Sequence, residues 1–468
     1  MENYDFDVAV LGGGSGGYAA ARTAAAAGKK VVVIDGADEL GGLCILLGCM
    51  PSKALIESAN RNIVVREGKE FGIDVEKSSV NQQKVIERKR WLIKDFADYR
   101  AEQLEDGRFD LVRGFGRFVD AHTLEVKEGE QTRKLTAHTV IVATGSTIFV
   151  PEIEGLAENG YLTSDDILDL ADLPESMVVL GGGAIALEMA HYLDGLGTKV
   201  TVIQRSAHLL SGMDHDLADE LQADLEHRGL KIECGTELKR VESTSAGHKR
   251  VVYLKDGKEH SVETHEILAA LGRKPNTGSL EAEKAGIKLN GKGGIEVSLD
   301  MQTSSENIFA CGDVASPYEI VHIAIEQGEM AAENAMRYMA GESDYAEMDY
   351  RLKLYGIFTD PQVAAVGMNE LEAEEQGREV LVESYPFNDH GKSMIHGSKF
   401  GFVKLIADAE TKEILGGSVV GPEAAELIHE IVVAMAFHST AGQLAKIPHY
   451  HPTLSEIWTY PAEEIADA

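Results

Sequence analysis

Only four cysteines occur in the 468 residues: Cys44, Cys49, Cys234 and Cys311. Four is too few for a disulfide scaffold, so a close pair such as Cys44 and Cys49 points to catalysis or metal binding. Cys234 and Cys311 are isolated beside apolar stretches and are expected to be small buried residues. Uninterrupted apolar runs of about 18 residues are missing, so no membrane span is expected. The N-terminus, MENYDFDVAVLGGG, enters an apolar strand almost at once, leaving no room for a secretory or transit segment. The cytoplasm is the expected compartment. Basic residues are scarce, 44 against 77 acidic ones, and the net charge is −33. Such a surface repels nucleic acid and anionic lipid, which excludes both as partners. The acid is spread along the chain and reads as a solvated surface. At ~150 residues per domain, about three domains are expected.

Glycine is plentiful and organised. An apolar strand, Val8–Leu11, runs into Gly12, Gly14 and Gly17 in GxGxxG spacing, followed by an alanine-rich stretch suited to a helix. A second strand, Val31–Ile34, ends at Asp35. Such a loop lets the backbone approach a pyrophosphate at a helix N-terminus, and an acid roughly 20 residues on accepts hydrogen bonds from ribose hydroxyls. The arrangement returns at 177–204, with Gly181 and Gly183 in the first two positions and Ala186 in the third. Here the second strand ends at Gln204. Two such units imply two dinucleotides on two doubly wound domains. A carboxylate at the ribose position selects NAD; Gln204 followed by Arg205 can accommodate a 2′-phosphate and favours NADP over NAD.

Cys44 and Cys49 stand in GGLCILLGCMPSK, residues 41–53, just after the first unit. On one helix they would lie about one turn apart, close enough for a bridge. Zinc needs two further ligands, and no second cysteine pair or Cys/His set follows, so no metal is expected. A second chemical pair lies in HPTLSE. Thiol–disulfide exchange needs a group that takes and returns a proton. His451 suits both directions, and Glu456 would fix its tautomer. His449 is equally near and serves as the local control.

The segment GGLCILLGCMPSK resembles the redox-active stretch of the class I pyridine nucleotide–disulfide oxidoreductases. Four further segments extend the likeness over almost the whole chain: IVATGS (Ile141–Ser146), ALGRKPN (Ala270–Asn276), TSSENIFACGDV (Thr303–Val314) and HYHPTLSEIW (His449–Trp458). The resemblance implies an α/β fold of two doubly wound FAD- and NAD(P)-binding domains plus a C-terminal α+β interface domain. The expected divisions are 1–150 and 271–346 for FAD, 151–270 for NAD(P) and 347–468 for dimerisation. It also implies roles. Cys44 would exchange with substrate, and Cys49 would lie nearest the flavin as a thiolate. Lys53 and Glu188 would pair beside the flavin N5. Gly42, Thr144, Gly145, Gly272, Arg273, Gly312, Asp313 and His322 would join the loop residues in cofactor binding, with Asp313 at the ribityl chain. His451 and Glu456 would reach the thiols of the opposite subunit of a homodimer.

The chain departs from the pattern at Leu43 and Leu46, where the family usually has Thr and Asn, and at Ile323, where Lys usually follows His322. HPTLSE and His322 resemble the dihydrolipoamide dehydrogenase branch, whose substrate would be a small dithiol or the lipoyl group of a carrier protein. Ala186 and Arg205 are more like the NADPH-dependent reductases of small disulfides, the alternative reading. A flavin redox sensor with little turnover is the third, disfavoured by the intact thiol and acid–base pairs. Mercuric reductase is disfavoured because no cysteine pair stands near the terminal EEIADA. Helical spacing over Gly421–Ser439 suggests a core helix first and an interface helix second. Trp91 is expected to pack, within a charged stretch (54–110) carrying helices around 60–65 and 86–101.

Overall fold

The computed structural model describes residues 4–468. It comprises two compact units, the first formed by the chain up to Ala54, Glu87–Phe149 and Gly272–Asp349. The second comprises Leu55–Ile86, Val150–Leu271 and Tyr350–Ala468.

In the first unit, Phe6–Leu11 lies between Val31–Ile34 and Gln131–Val142, parallel to both, with Val10 level with Val33 on one side and Ile141 on the other. Asp110–Val112 and Ile308–Ala310 extend the parallel set. Buried on both faces, these strands read as unbroken apolar runs such as VVVI. Thr123–Glu128 and Phe115–Phe118 continue the sheet in antiparallel fashion. Helix Ser15–Ala26 packs against helix Val321–Ala340. Its sequence, SGGYAAARTAAA, is short-chained because Ala19, Ala20, Ala21 and Ala24 are all buried.

The second unit repeats the parallel theme with Lys231–Glu233, Lys199–Ile203, Ser176–Leu180 and Glu266–Ala269. A three-stranded antiparallel sheet spans 236–264. A five-stranded antiparallel sheet follows, running Leu354–Ile357, Gln362–Gly367, Ile414–Gly421, Phe402–Asp408 and Val380–Pro386 in spatial order. Helix Ala424–Ala436 lies on this sheet, its apolar face (Leu427, Ile428, Ile431, Met435) buried, which matches the core reading of that stretch. Trp458 is fully buried and its Nε1 donates to the Leu427 carbonyl at 3.2 Å.

Three expectations need correction. Trp91 is 70% exposed, because helix Gln82–Glu105 turns Ile86 and Lys89 inward instead. Cys311 is buried, but Cys234 is only half-buried, at the end of a three-residue strand where its Sγ donates to Gln222 Oε1 at 3.7 Å. Cys44 and Cys49 do not share one regular helix. Helix Gly42–Leu46 ends at Leu47 and Cys49 opens the next, Cys49–Glu67. The combined stretch Gly42–Phe71 is long and apolar enough, by length and composition, to cross a bilayer. Lys53 and Glu57 interrupt it, and Leu55, Ile56 and Ala59 bury their side chains in the second unit's core.

The second unit also buries charge. Arg228 Nη2 donates to His191 Nδ1 at 3.1 Å, and His191 Nε2 donates to Asn60 Oδ1 at 2.7 Å. Burial and Arg228 push His191 well below its usual pKa, so the ring is neutral. Asp224 Oδ2 lies 3.4 Å from Arg228 Nε. Burial, reinforced by Asp360 and Glu67, raises Asp224 from 3.8 to about 6 despite that arginine. The folded chain therefore holds this proton more tightly than the unfolded chain. Its stabilising contribution is complete below 3.8 and is lost as pH rises through about 6. Asp224→Asn should raise stability above pH 6 by roughly 2 kcal/mol and leave it unchanged near pH 4. Chemical denaturation of both proteins across that pH range checks the difference.

Candidate active site

The first loop is built by backbone crowding. Gly12 has φ of +103°, and a Cβ there would lie 2.4 Å from the Ala143 carbonyl oxygen. Strand Val31–Ile34 ends beside the loop at Asp35, whose Oδ2 accepts from the Gly13 amide at 2.8 Å. Oδ1 accepts from the Ala37 amide at 2.9 Å. The second loop is built alike, with Gly181 N donating to the Ile203 carbonyl at 2.9 Å and Ala186 buried in the helix that follows. Gln204 occupies the position corresponding to Asp35. Its Oε1 accepts from the Arg205 amide at 3.1 Å and its Nε2 donates to Ser211 Oγ at 3.4 Å. Arg205 is exposed.

Both loops feed 12-residue helices, Ser15–Ala26 and Ala184–Gly195. Neither has a side-chain cap or an acid in its first turn. Elsewhere Thr163, Asn369 and Thr440 close their helices with full capping boxes. A helix start with open amides and no carboxylate suits a phosphate. The residues therefore fit a dinucleotide at each loop.

Around the first loop the expected cofactor residues interlock. Thr144 Oγ1 donates to the Asn276 carbonyl at 2.8 Å, and the Asn276 amide donates to the Gly145 carbonyl at 2.9 Å. The Gly272 carbonyl accepts from the Phe149 amide at 3.0 Å. Arg273 Nε donates to Ser146 Oγ at 2.8 Å, and that hydroxyl donates to Asp313 Oδ2 at 2.6 Å. Ser146 was not among the expected site residues. The Gly312 amide donates to Gln327 Oε1 at 2.8 Å. His322 sits in the first turn of helix Val321–Ala340.

The thiol segment is joined to the first loop through Gly42. Its φ is +72°, and a Cβ there would lie 2.5 Å from Gly14 Cα. From this contact the chain turns through helix Gly42–Leu46, carrying Cys44, into the helix that starts at Cys49. Both are free thiols, each partly exposed. A hydrogen bond to Cys49, with burial second, raises the Cys44 thiol pKa. Ser52 Oγ donates to the Gly48 carbonyl at 2.8 Å, tying the turn before Lys53. Lys53 belongs to the first unit and Glu188 to the second. Glu188 is buried, and its Oε1 accepts from the Phe358 amide at 3.1 Å.

In the second unit the structure brings His451 and Glu456 together. His451 Nδ1 lies 3.0 Å from Glu456 Oε2 and 3.2 Å from Oε1. The imidazole is 80% exposed and the carboxylate 13%. His449 is engaged otherwise, its Nε2 2.6 Å from Glu430 Oε1. A residue that spacing did not suggest joins the pair: His390 Nε2 lies 3.2 Å from Glu456 Oε1. Elsewhere in this unit Asp214, Asp216 and Glu370 converge, but on the buried Lys404 ammonium, at 2.8, 2.8 and 2.6 Å. That ammonium fills the place a metal ion would take.

The family model described as pyridine nucleotide-disulphide oxidoreductase matches residues 6–328, and that of its dimerisation domain matches residues 355–462. Relatives include the dihydrolipoyl dehydrogenase of Geobacillus stearothermophilus, 34% identical over 91% of this chain and 88% of that protein. The mercuric reductase of Staphylococcus aureus is 30% identical over 86% of this chain and 72% of its own length. Among solved structures, a Cu(II) complex of the HOCl-induced flavoprotein disulfide reductase RclA from Escherichia coli superposes with a TM-score of 0.85 at 26% identity, covering 99% of this chain and 100% of the other. This chain belongs to the pyridine nucleotide–disulphide oxidoreductases. It is a flavoprotein disulfide oxidoreductase that uses FAD and NAD(P)H, and it carries the family's dimerisation domain.

The loop glycines separate two kinds of constraint. A Cβ at Gly17 would lie 1.9 Å from the Gly12 carbonyl oxygen, whereas one at Gly183 would meet no protein atom within 4 Å. Gly17→Ala should therefore lower stability, by about 1–3 kcal/mol for forced overpacking. Gly183→Ala should leave stability unchanged and raise the KM for NAD(P)H about tenfold or more, because its methyl projects where a pyrophosphate approaches. Thermal melts and steady-state kinetics of the two variants check this split.

Proposed function

We propose that the chain passes electrons between a small dithiol and NAD(P)⁺, the dithiol being of the dihydrolipoyl kind, free or as the lipoyl group of a carrier protein. The observation that carries this reading is the His451–Glu456 pair, in which the carboxylate engages Nδ1 and leaves Nε2 of an exposed imidazole open for proton transfer. The dihydrolipoyl dehydrogenases among the relatives, 34% identical in the Geobacillus case, support the substrate class.

The steps on the chain's own residues begin with Cys44 and Cys49 bridged. His451 takes a proton from a substrate thiol at Nε2, and Glu456 offsets the imidazolium charge. The substrate thiolate attacks Cys44 Sγ, the Cys44–Cys49 bond breaks, and Cys49 leaves as a thiolate. The second substrate thiol then displaces Cys44 from the mixed disulfide, so the substrate leaves oxidised and the cysteine pair is reduced. The raised Cys44 pKa, caused first by the hydrogen bond to Cys49, supports this division of labour. FAD, when bound, supplies two-electron passage between this pair and the nicotinamide. Lys53, four residues after Cys49, is assigned to the cofactor side of the thiols, as is Glu188.

The reading assigns the His451–Glu456 pair of one subunit to the thiols of the other. The dimerisation domain and the exposed imidazole support that assignment. Gln204 and the exposed Arg205 place no carboxylate at the expected ribose position, which favours NADP(H) over NAD(H). Cytoplasmic action belongs to the same reading, because a reducing compartment returns a thiol pair to the dithiol state. The apolar Leu43 and Leu46 around Cys44 favour a second reading, a reductase of another small disulfide.

Assays of dihydrolipoamide with NAD⁺ and NADP⁺, set against glutathione disulfide with NADPH, decide between the two. His451→Gln should slow dithiol turnover by about 10²- to 10⁴-fold while leaving NAD(P)H-driven reduction of an artificial acceptor intact. On anaerobic reduction, Cys44→Ser should keep a long-wavelength thiolate–flavin absorbance and Cys49→Ser should lose it. The reverse pattern would exchange the roles of the two thiols.

A further inference from the structure

We infer that His390 is a positioning residue for the acid–base pair, holding the Glu456 carboxylate from its buried side so that the exposed His451 imidazole keeps one orientation. The inference rests on the assignment of His451 and Glu456 above. His451 is 80% exposed, and an imidazole so open to solvent would otherwise sample several rotamers. Its orientation depends on Glu456, whose carboxylate also receives His390 Nε2 at 3.2 Å. His390 has no exposed side-chain surface. Its Nδ1 lies 2.6 Å from Ser393 Oγ, Ser393 is itself buried, and the Tyr460 ring stands edge-on at 6.1 Å.

The tautomer follows from the acceptor. An ionised carboxylate only accepts, so the nitrogen facing it, Nε2, carries the hydrogen. In the neutral ring Nδ1 is then an acceptor, and the Ser393 hydroxyl donates to it. Glu456 thus accepts N–H groups from two imidazoles. One is fixed in the core. The other is exposed and accepts the substrate proton at Nε2. His390 touches neither substrate nor thiol; it sets the angle of the group that sets the angle of His451. Its counterpart in other thiol–disulfide sites need not be histidine, since any buried N–H donor at this point performs the same task.

The test uses the flavin-loaded dimer and follows flavin reduction separately by dihydrolipoamide and by NADPH in stopped flow. His390→Leu keeps the apolar volume and removes the N–H. It should slow reduction by dihydrolipoamide roughly 10- to 100-fold, the scale expected when a reacting group is misplaced by about an ångström. Reduction by NADPH should stay as in the unsubstituted enzyme. His390→Gln, whose amide can present an N–H at the Nε2 position, should recover most of the lost rate, which a purely packing role would not. Should His390→Leu fail to fold, Ser393→Ala takes its place: it keeps the ring, removes the hydrogen bond at Nδ1, and should give a smaller loss confined to the same half-reaction. An unaltered dihydrolipoamide rate in the folded variant overturns the inference. So does a Gln variant as slow as the Leu variant, or equal slowing by both reductants. No dihydrolipoamide reaction in the unsubstituted enzyme, with NADPH reduction intact, overturns instead the reading of the site on which the inference rests.

Discussion

Gly42 and Gly14 meet backbone to backbone, with no room for a single methyl group between them. That contact sets the start of the thiol segment against the first dinucleotide loop, and the chemistry of the first unit depends on it. Cys44 follows two residues on, so its sulfur cannot drift from the loop without breaking the glycine contact. The helix break after Leu46 then restarts the backbone at Cys49, and Ser52 ties the new turn to Gly48. A five-residue helix and a 19-residue one, joined through Leu47 and Gly48, hold the thiols on separate helices.

The His451–Glu456 pair is held by a different means. Its reference point is Trp458, fully buried and bonded to the helix carbonyl of Leu427, two residues beyond Glu456. Polar groups are then layered outward from that core: Ser393 and His390 without exposure, Glu456 slightly exposed, His451 almost wholly exposed. The gradient puts rigidity at one end and access to substrate at the other. The buried part of this chain is tolerable because both nitrogens of His390 have partners.

What could be read in advance was local. Loop glycines answer to steric demands of their immediate neighbours, so Gly12, Gly14, Gly17 and the strand ending at Asp35 announce themselves over thirty residues. His451 and Glu456 stand in one short segment, HPTLSE, whose resemblance to the family's C-terminal stretch implied their pairing. His390 could not be found this way, because it is 66 residues from its partner in a stretch, FNDHGKS, without strand or helix periodicity. Ser146 escaped for a like reason: its hydroxyl links Arg273 and Asp313 across more than a hundred residues. Trp91 was misread because large aromatics usually lie inside, yet its helix presents other residues to the core. The break between the two cysteines was hidden because nothing in CILLGC besides one glycine disfavours a continuous helix.

The two uncapped helix starts have a thermodynamic side. Each lacks the side-chain cap with which a serine or aspartate would ordinarily satisfy one of the helix's first amides. A dinucleotide seated there completes the helix as well as waiting for chemistry. By mass action its binding adds RT ln(1 + [L]/Kd) to the folded state, about 2.7 kcal/mol at a hundredfold excess over Kd. The melting temperature of this chain is therefore a gauge of how full its two sites are. A shortage of either dinucleotide therefore lowers the stability of the folded chain as well as its turnover.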